Sequence, residues 1–400
     1  MNTQRSRSLT RWGAVLVALL TLLVAWPIPA HAQLMIIGND EKVGLDKAGN
    51  FLFQAPGKDS VSIVDISNPG APKIVANLPL MNSIFGPPTN LAITPDQKLA
   101  LVANPMDWQK DGEKWKPVPD NKLYVIDLTA NPPALIATVQ VGKQPSGLSI
   151  NKAGTLALIA ARADNSISVL SIQGKEVKLI DTVPMGEMVA HVAFTPDGKR
   201  ALAAKFPGHK IAVLDIDGQK VTYNKYDMNV GLWPYNVDVS PLGTIALTAD
   251  NGNGGRSDGN VDTVSVIDLE TVPPRVIDRV VVGDAPEGLA ISPKGDLAAV
   301  MLLRGNDAAW NSWFYNRQGS VVILKIDYKK VTKLDEIEVG GLPEGAVWSA
   351  DGKYLYVGNY NDRTVSILKV EETKKGLRVV NTGKTLKLPG QPASMRGRQQ

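Results

Sequence analysis

The sequence predicts an all-β protein, a single seven-bladed β-propeller of four-stranded antiparallel blades. Three observations carry that expectation. A unit of about 45 to 57 residues recurs along the chain, the length range of one propeller blade. Each unit holds short apolar runs bounded by Gly, Pro and Asp turns, the pattern of hairpin-linked strands. After residue 32, no stretch of useful length carries the 3.6-residue apolar period of an amphipathic helix.

The core of the unit is clearest from Ala285 to Val300, which reads Pro-x-Gly-Leu-x-Ile-Ser-Pro-x-Gly-x-x-Ala-x-Val. Further copies begin near Pro88, Pro145, Val189, Pro234 and Pro343, and a degenerate copy lies around Val43 to Asp65. A turn follows each first strand: Asp46–Gly49, Pro95-Asp96, Lys152–Gly154, Pro196–Gly198, Pro241–Gly243, Pro293–Gly295 and Ala350–Gly352. Gly supplies positive φ in such turns and Asp bonds its own backbone. The second strands are rich in Ala (Leu99–Ala103, Leu156–Ala160, Ala201–Ala204, Leu297–Val300), and small side chains let neighbouring sheets converge toward an axis. The third strands end in Asp65, Asp127, Asp215 and Asp268, read as turn formers ahead of the outer strand. An open ring leaves an unpaired strand edge, so the chain ends must close it. Leu386–Gly390 and Met35–Gly38 both resemble the outer strand Val280–Gly283. The C-terminal copy is expected to be the main outer strand of blade seven, with the N-terminal copy adding beside it or displacing it.

The chain has 400 residues, 44% of them hydrophobic, enough for a large core. Arg5, Arg7 and Arg11 precede an apolar run from Trp12 to Trp26, and Ala30-His31-Ala32 follows as a small-x-small site. That is the layout of a secretory signal peptide over residues 1–32, cleaved before Gln33. The run is short and ends in Pro27 and Pro29, which argues against an uncleaved anchor. The propeller is then expected over 33–393, with 394–400 as a basic tail. The three arginines supply most of the formal charge of +4, so the rest of the chain is close to neutral. The late cluster of Lys374, Lys375, Arg378, Lys384, Lys387, Arg396 and Arg398 reads as solvated surface rather than a nucleic-acid or membrane patch. There is no cysteine, which excludes disulfides, thiolate metal sites and lipidation at a cleavage-site cysteine. The expected product is a periplasmic or secreted monomer with no transmembrane segment after cleavage.

In a four-stranded blade, the loop leading into the first strand and the loop joining the second and third strands share one face. The lead-in loops contribute Asn90, Ser146, His191, Tyr235, Asn236, Glu287 and Glu344, and the second-to-third loops open with Asn104, Arg162, Lys205, Asp250, Arg304 and Asn359. Seven-fold closure gathers these at one channel mouth, a candidate ligand site; a merely wet, polar channel is the alternative. Glu287 and Glu344 hold the same repeat position in adjacent blades, each as Pro-Glu-Gly. Two nearby carboxylates share a proton or bind a cation, unless Arg304 or another basic rim group pairs with them. His191 replaces the usual Gly and so points at the channel, as a base, a ligand or a plain hydrogen-bonded histidine. His209, in a Pro-Gly-His loop, reads as exposed.

Three connections stand out. Residues 104–121 carry Trp108 and Trp115, and residues 304–319 carry Trp310, Trp313, Phe314 and Tyr315. Aromatics at loop tips anchor partners or ligands, or fold back as a lid. The Gly-rich segment from Asp250 to Thr263 contains Asp258-x-Asn260-x-Asp262, a spacing that suits calcium, but Thr263 stands where a calcium loop places Gly. A solvated loop is favoured, so no cofactor is expected and calcium is the one cation considered. Haem-attachment, P-loop, Gly-x-Ser-x-Gly and dinucleotide motifs are all absent.

Leu355-Tyr356-Val357-Gly358-Asn359, and more loosely Leu101-Val102-Ala103-Asn104, complete the picture. With these motifs the chain resembles the seven-bladed YVTN-type propellers over nearly all of residues 35–393. That superfamily includes lactonase-like, surface-layer and amine-dehydrogenase large-subunit propellers, so the resemblance speaks to fold and leaves function open. The leading reading is a non-catalytic exported protein presenting its channel mouth and aromatic loops to a small molecule or a periplasmic protein. The resemblance adds two others. One is a lactonase-like hydrolase using Glu287, Glu344, His191 and Arg304. The other is the structural large subunit of an exported oxidoreductase, whose cofactor would sit on a separate subunit.

Overall fold

A computed structural model describes residues 33–374 and 376–398. The expected signal peptide, residues 1–32, lies outside the described residues, as do Lys375 and the last two residues of the expected tail. Seven four-stranded antiparallel sheets are present, and the only helical segment among the described residues is a three-residue 3-10 turn, Arg162–Asp164. The inner strands of blades 2 to 7 are Leu91–Ile93, Pro145–Ile150, Val192–Phe194, Pro234–Val239, Pro286–Ile291 and Pro343–Trp348. Gln391–Gly397 is the inner strand of blade 1 and touches those of blades 7 and 2, so the ring is closed. Among the described residues no helix is long and apolar enough to cross a membrane.

Blade 1 is assembled from both ends of the chain. Its order from the axis outward is Gln391–Gly397, Leu34–Asp40, Ser60–Asp65 and Lys73–Leu78. This corrects the expected closure. Leu386 and Lys387 do end the outer strand of blade 7, Gly376–Lys387, but Met35–Gly38 lies within the second strand of blade 1. The chain then runs on past residue 393, so the expected tail supplies the inner strand and Ser394 and Met395 are buried. Gly345 and Gly358 of blade 7 leave the space that Met395 fills: a Cβ on Gly358 would stand 2.6 Å from its sulfur.

Two more expectations change with that register. Because Leu34–Asp40 is a second strand, residues 43–53 fall in the second-to-third connection of blade 1. Val43–Leu45 and Phe51–Phe53 pair there as a separate hairpin, so the Asp46–Gly49 turn belongs to the channel-mouth face. Residues 104–121 are not a loop: strands two and three of blade 2, Leu99–Asp111 and Lys114–Asp127, continue beyond the sheet as a β-ribbon.

The core lies between blades. Leu156, Leu158 and Ala160 of blade 3 meet Ala201, Ala203, Ala212 and Leu214 of blade 4. Second strands are covered on both faces, which is why they read as continuous apolar runs rather than alternations. Their alanines let the sheets approach closely.

Candidate functional site

The Pro-Glu-Gly triplets build the floor of the site. Pro286 and Pro343 open their strands, where the missing N–H is least costly. The pairing register then slips between Pro286 and Leu289, and between Pro343 and Ala346. A bulge of this kind re-aims a side chain, and here it turns Glu287 and Glu344 into the channel mouth. Gly288 completes the arrangement: a Cβ there would stand 2.1 Å from the backbone oxygen of Glu344, so only glycine lets the two inner strands come this close.

Above this floor is a cavity of about 590 Å3, lined by Arg162, Tyr235, Glu287, Glu344, Tyr360, Arg256 and Asp307 together with Phe51, Phe85, Met106, Leu303 and Leu342. Its roof comes from inserted pieces. The Val43–Phe53 hairpin is pinned at its base by the Tyr360 hydroxyl, which donates to the Val43 oxygen at 2.8 Å. Its tip accepts from the backbone N–H of Trp310, bonded to the Lys47 oxygen at 2.9 Å. Arg256, from the Gly-rich segment, clasps hairpin and aromatic loop together. Its Nη2 donates to the Gly49 oxygen at 2.7 Å and to the Asp307 oxygen at 3.0 Å, and its Nε pairs with Asp307 at 3.1 Å. Lys42, fully buried, ion-pairs with Asp40 and Asp59 and lies 4.8 Å from the Trp108 ring, fixing hairpin and ribbon together.

The electrostatics of the floor are unusual. The Glu287 carboxyl accepts from Asn251 Nδ2 at 3.0 Å, while Glu344 Oε2 is buried without a hydrogen-bond partner. Burial pushes Glu287 up to about 8, and the Asp307 charge adds to this while Arg162 opposes it. Burial, then Glu287, then Asp307, push Glu344 well above the ordinary carboxyl range. Arg162 donates to the Tyr235 hydroxyl at 3.2 Å and stacks 4.8 Å from the Phe206 ring; its Nε is buried and unpartnered. Burial raises the Tyr235 phenol to about 12. The floor thus holds one guanidinium, a phenol and two carboxyls that favour their protonated form.

Of the thirteen channel-mouth residues expected from the repeat, Arg162, Tyr235, Glu287 and Glu344 meet in this cavity, while Ser146 is buried, donates to the Gln144 oxygen and does not line it. Lys205, Asp250 and Asn359 end second strands, Asn104 stands where that of blade 2 passes into the ribbon, and their side chains turn into their own blades. Asn104 donates to Asp120, Lys205 pairs with Glu187 and Asp227, Asp250 accepts from Thr248, Thr263 and Ser265, and Asn359 donates to Thr364 and Ser366. Asn39 holds the same place in blade 1 and donates to Ser60 and Ser62. This is a recurring polar clamp between strands. Arg304 faces Glu338 at 3.8 Å, on the outer strand of its own blade, and does not pair with the two glutamates.

His191 is buried beside Gly147, which leaves room for its ring; it accepts from the Val237 N–H at Nδ1 and meets Arg396 at Nε2, 3.2 Å away. Burial and Arg396 hold its pKa well below the usual value, so it stays neutral. Asn90 donates to Asn82 and to the Ala103 oxygen, and Asn236 is buried. None of these three lines the cavity.

The aromatic segments divide. Trp108 is buried, Trp115 half-buried, and both belong to a cluster with Ile84 and Phe85. Trp310 and Trp313 are 56% and 83% exposed, with Phe314 and Tyr315 half-buried beneath them. In the Gly-rich segment, Asp258 accepts from the Asn260 N–H and Asp262 from the Ala285 N–H, so both carboxylates cap backbone. Among the described residues no group of three or more acidic or histidine side chains is placed to hold a metal. Arg256, Asp307, Phe85 and Tyr360 were not foreseen. The first two lie in segments flagged for their glycines and aromatics, but charge alone does not say which member of a loop turns inward.

Comparison with known proteins bears on the fold. A model of the LVIVD repeat matches residues 47–78, in blade 1. No curated protein matches the chain. Among solved structures, a Bacteroides fragilis protein provisionally assigned as a 6-phosphogluconolactonase is 17% identical with a TM-score of 0.68, over 92% of this chain and 98% of that one. The periplasmic gluconolactonase of Pseudomonas aeruginosa is 18% identical with a TM-score of 0.65, over 92% and 99%. Hydrazine synthase of Kuenenia stuttgartiensis is 21% identical with a TM-score of 0.55, over 72% and 78%. At these identities the likeness is one of fold.

Proposed function

We propose that this seven-bladed propeller is an exported binding protein that takes a small organic ligand into the roofed cavity at its channel mouth. One observation carries the reading: an apolar-walled space of about 590 Å3 whose floor includes Arg162 and Glu344, each with a buried polar atom that lacks a partner. A buried, unpaired polar atom costs about 1–3 kcal/mol, and a ligand that supplies the partner recovers that cost. Export rests on the basic and apolar segments before Gln33. The exposed Trp310 and Trp313 on the same face are where a protein partner would dock.

The test is one preparation. The full chain is produced in a Gram-negative host, isolated from the periplasm under native conditions and weighed by native mass spectrometry. The expected result is a chain beginning at Gln33 with a small retained mass, and loss of that mass in Arg162→Ala. Retention of nothing by the wild type, or equal retention by the variant, counts against the reading.

Glu287 and Glu344 favour a second reading, a lactonase-like hydrolase. Above about pH 8, where Glu287 is ionised, its carboxylate would take a proton from the water that attacks the lactone carbonyl, and protonated Glu344 would give its proton to the departing ring oxygen. This version needs neither His191 nor Arg304, since neither lines the cavity. It requires acid release from lactones that disappears in Glu344→Gln.

A further inference from the structure

We infer that the ligand is a small organic monocarboxylate with an apolar body, its carboxylate seated on Arg162 and its body under the aromatic roof. This rests on the cavity being a binding site.

The argument begins with which charge on the cavity wall is free. A guanidinium keeps its charge at any ordinary pH. Arg256 is already paired with Asp307 and donates to two backbone oxygens. Arg162 has no carboxylate within ion-pairing distance among the described residues; its guanidinium makes one hydrogen bond, to a neutral phenol, and its Nε is unpartnered. The Phe206 and Tyr235 rings, 4.8 and 5.6 Å from its Cζ, hold the fork in a fixed plane. A planar guanidinium fixed in this way matches a carboxylate bidentately.

The glutamates decide between an anion and a cation. The groups facing the pair are Asp307, Arg162, Tyr235 and Tyr360, together with each other. Asp307 repels an ionised glutamate, and the buried Glu344 Oε2 receives no donor. An ionised carboxylate there would be an uncompensated buried charge, so the carboxyl keeps its proton. A protonated carboxyl is a donor. The Tyr235 hydroxyl, which accepts from Arg162, has its own proton to give. The floor therefore offers one positive charge and several donors, the complement of a singly charged oxyanion. A second negative charge would face Asp307 with nothing to balance it. Phe51, Phe85, Met106 and Leu303 along the walls call for an apolar body.

The probes are benzoate, phenylacetate and hexanoate, with benzamide and benzylamine as the neutral and cationic counterparts, titrated calorimetrically into the mature protein at pH 7. The carboxylates are expected to bind, and benzamide to bind about tenfold more weakly or worse, the scale of a lost charged hydrogen bond. Arg162→Gln should lose the preference for benzoate, and Arg162→Lys, which keeps the charge without the fork, should fall between.

The pH series separates this class from a cation site. Wild-type affinity for benzoate should fall as pH rises through about 8, where Glu287 gives up its proton. In Glu287→Gln the donor persists, and binding should persist with it. Benzylamine binding more tightly than benzoate, or loss of benzoate binding at pH 7 in Glu287→Gln, overturns the inference. If no probe binds while the natively retained mass is present, the ligand class is wrong and the cavity stands as a site. If no probe binds and nothing is retained, both fall.

Discussion

Glu344 is a buried carboxyl whose Oε2 has no hydrogen-bond partner. Asp250, equally buried, accepts from three hydroxyls, and Lys205 sits between two carboxylates and a phenol. Such satisfaction is what a structural polar residue needs. Glu344 lacks it, and together with Glu287 it binds protons more tightly in the fold than in the unfolded chain, where a glutamate titrates near 4.5. The folded state therefore holds more protons between about 4.5 and 8, and the contribution of the pair to stability is full below that window and lost as pH rises through it. Glu344→Gln and Glu287→Gln cannot ionise. Their thermal midpoints are expected close to wild type at pH 4.5 and above it at pH 8 to 9. A gap that does not open with pH would mean that the pair is solvated rather than buried.

At the scale of elements, closure of the ring depends on Gln391–Gly397. Truncation after Leu388 strips the inner strand from blade 1 and exposes an edge along Leu34–Asp40 and the flank of blade 7. The expected outcome is loss of a cooperative thermal transition and aggregation; the milder Met395→Ala should fold and cost about 2–5 kcal/mol in a denaturant titration. A well-folded truncated monomer would show that the terminal strand is dispensable.

This strand also marks where sequence reasoning stopped. Blade number, hairpin turns and Ala-rich second strands were legible because each recurs. Gln391–Gly397 has none of the repeat's Leu or Ile, and its apolar content is Pro392, Ala393 and Met395, so its place is set by glycines of blade 7 far away in sequence. The repeat places Asn104, Lys205, Asp250 and Asn359 at the openings of loops, but all four are strand residues, and strand alternation sends their side chains into the blade. A polar residue type does not announce which side of a strand it takes.

Across the whole molecule, the two faces differ as the repeat implies. Six short turns, from Pro95-Asp96 to Ala350–Gly352, cover one face, while the hairpin, ribbon and long loops crowd the other. Four residues of the floor could be read from their repeat positions, Tyr235, Glu287 and Glu344 at lead-in positions and Arg162 in a second-to-third loop. The roof could not, because it joins segments of blades 1, 2, 5 and 6 that are remote in sequence; Arg256 and Gly49, for example, are 207 residues apart. Long ordered loops usually serve a function, and here they enclose a cavity with an unpaired cation on its floor.

The central claim is that this cavity holds the ligand, and the most direct test is a crystal structure of protein purified natively from the periplasm without added small molecules. The expected result is continuous non-protein density between Arg162 and the aromatic roof, within hydrogen-bond reach of Tyr235 and Glu344. A cavity filled only by ordered water, with a ligand instead on the turn face near Lys152 and Lys294, would contradict the account.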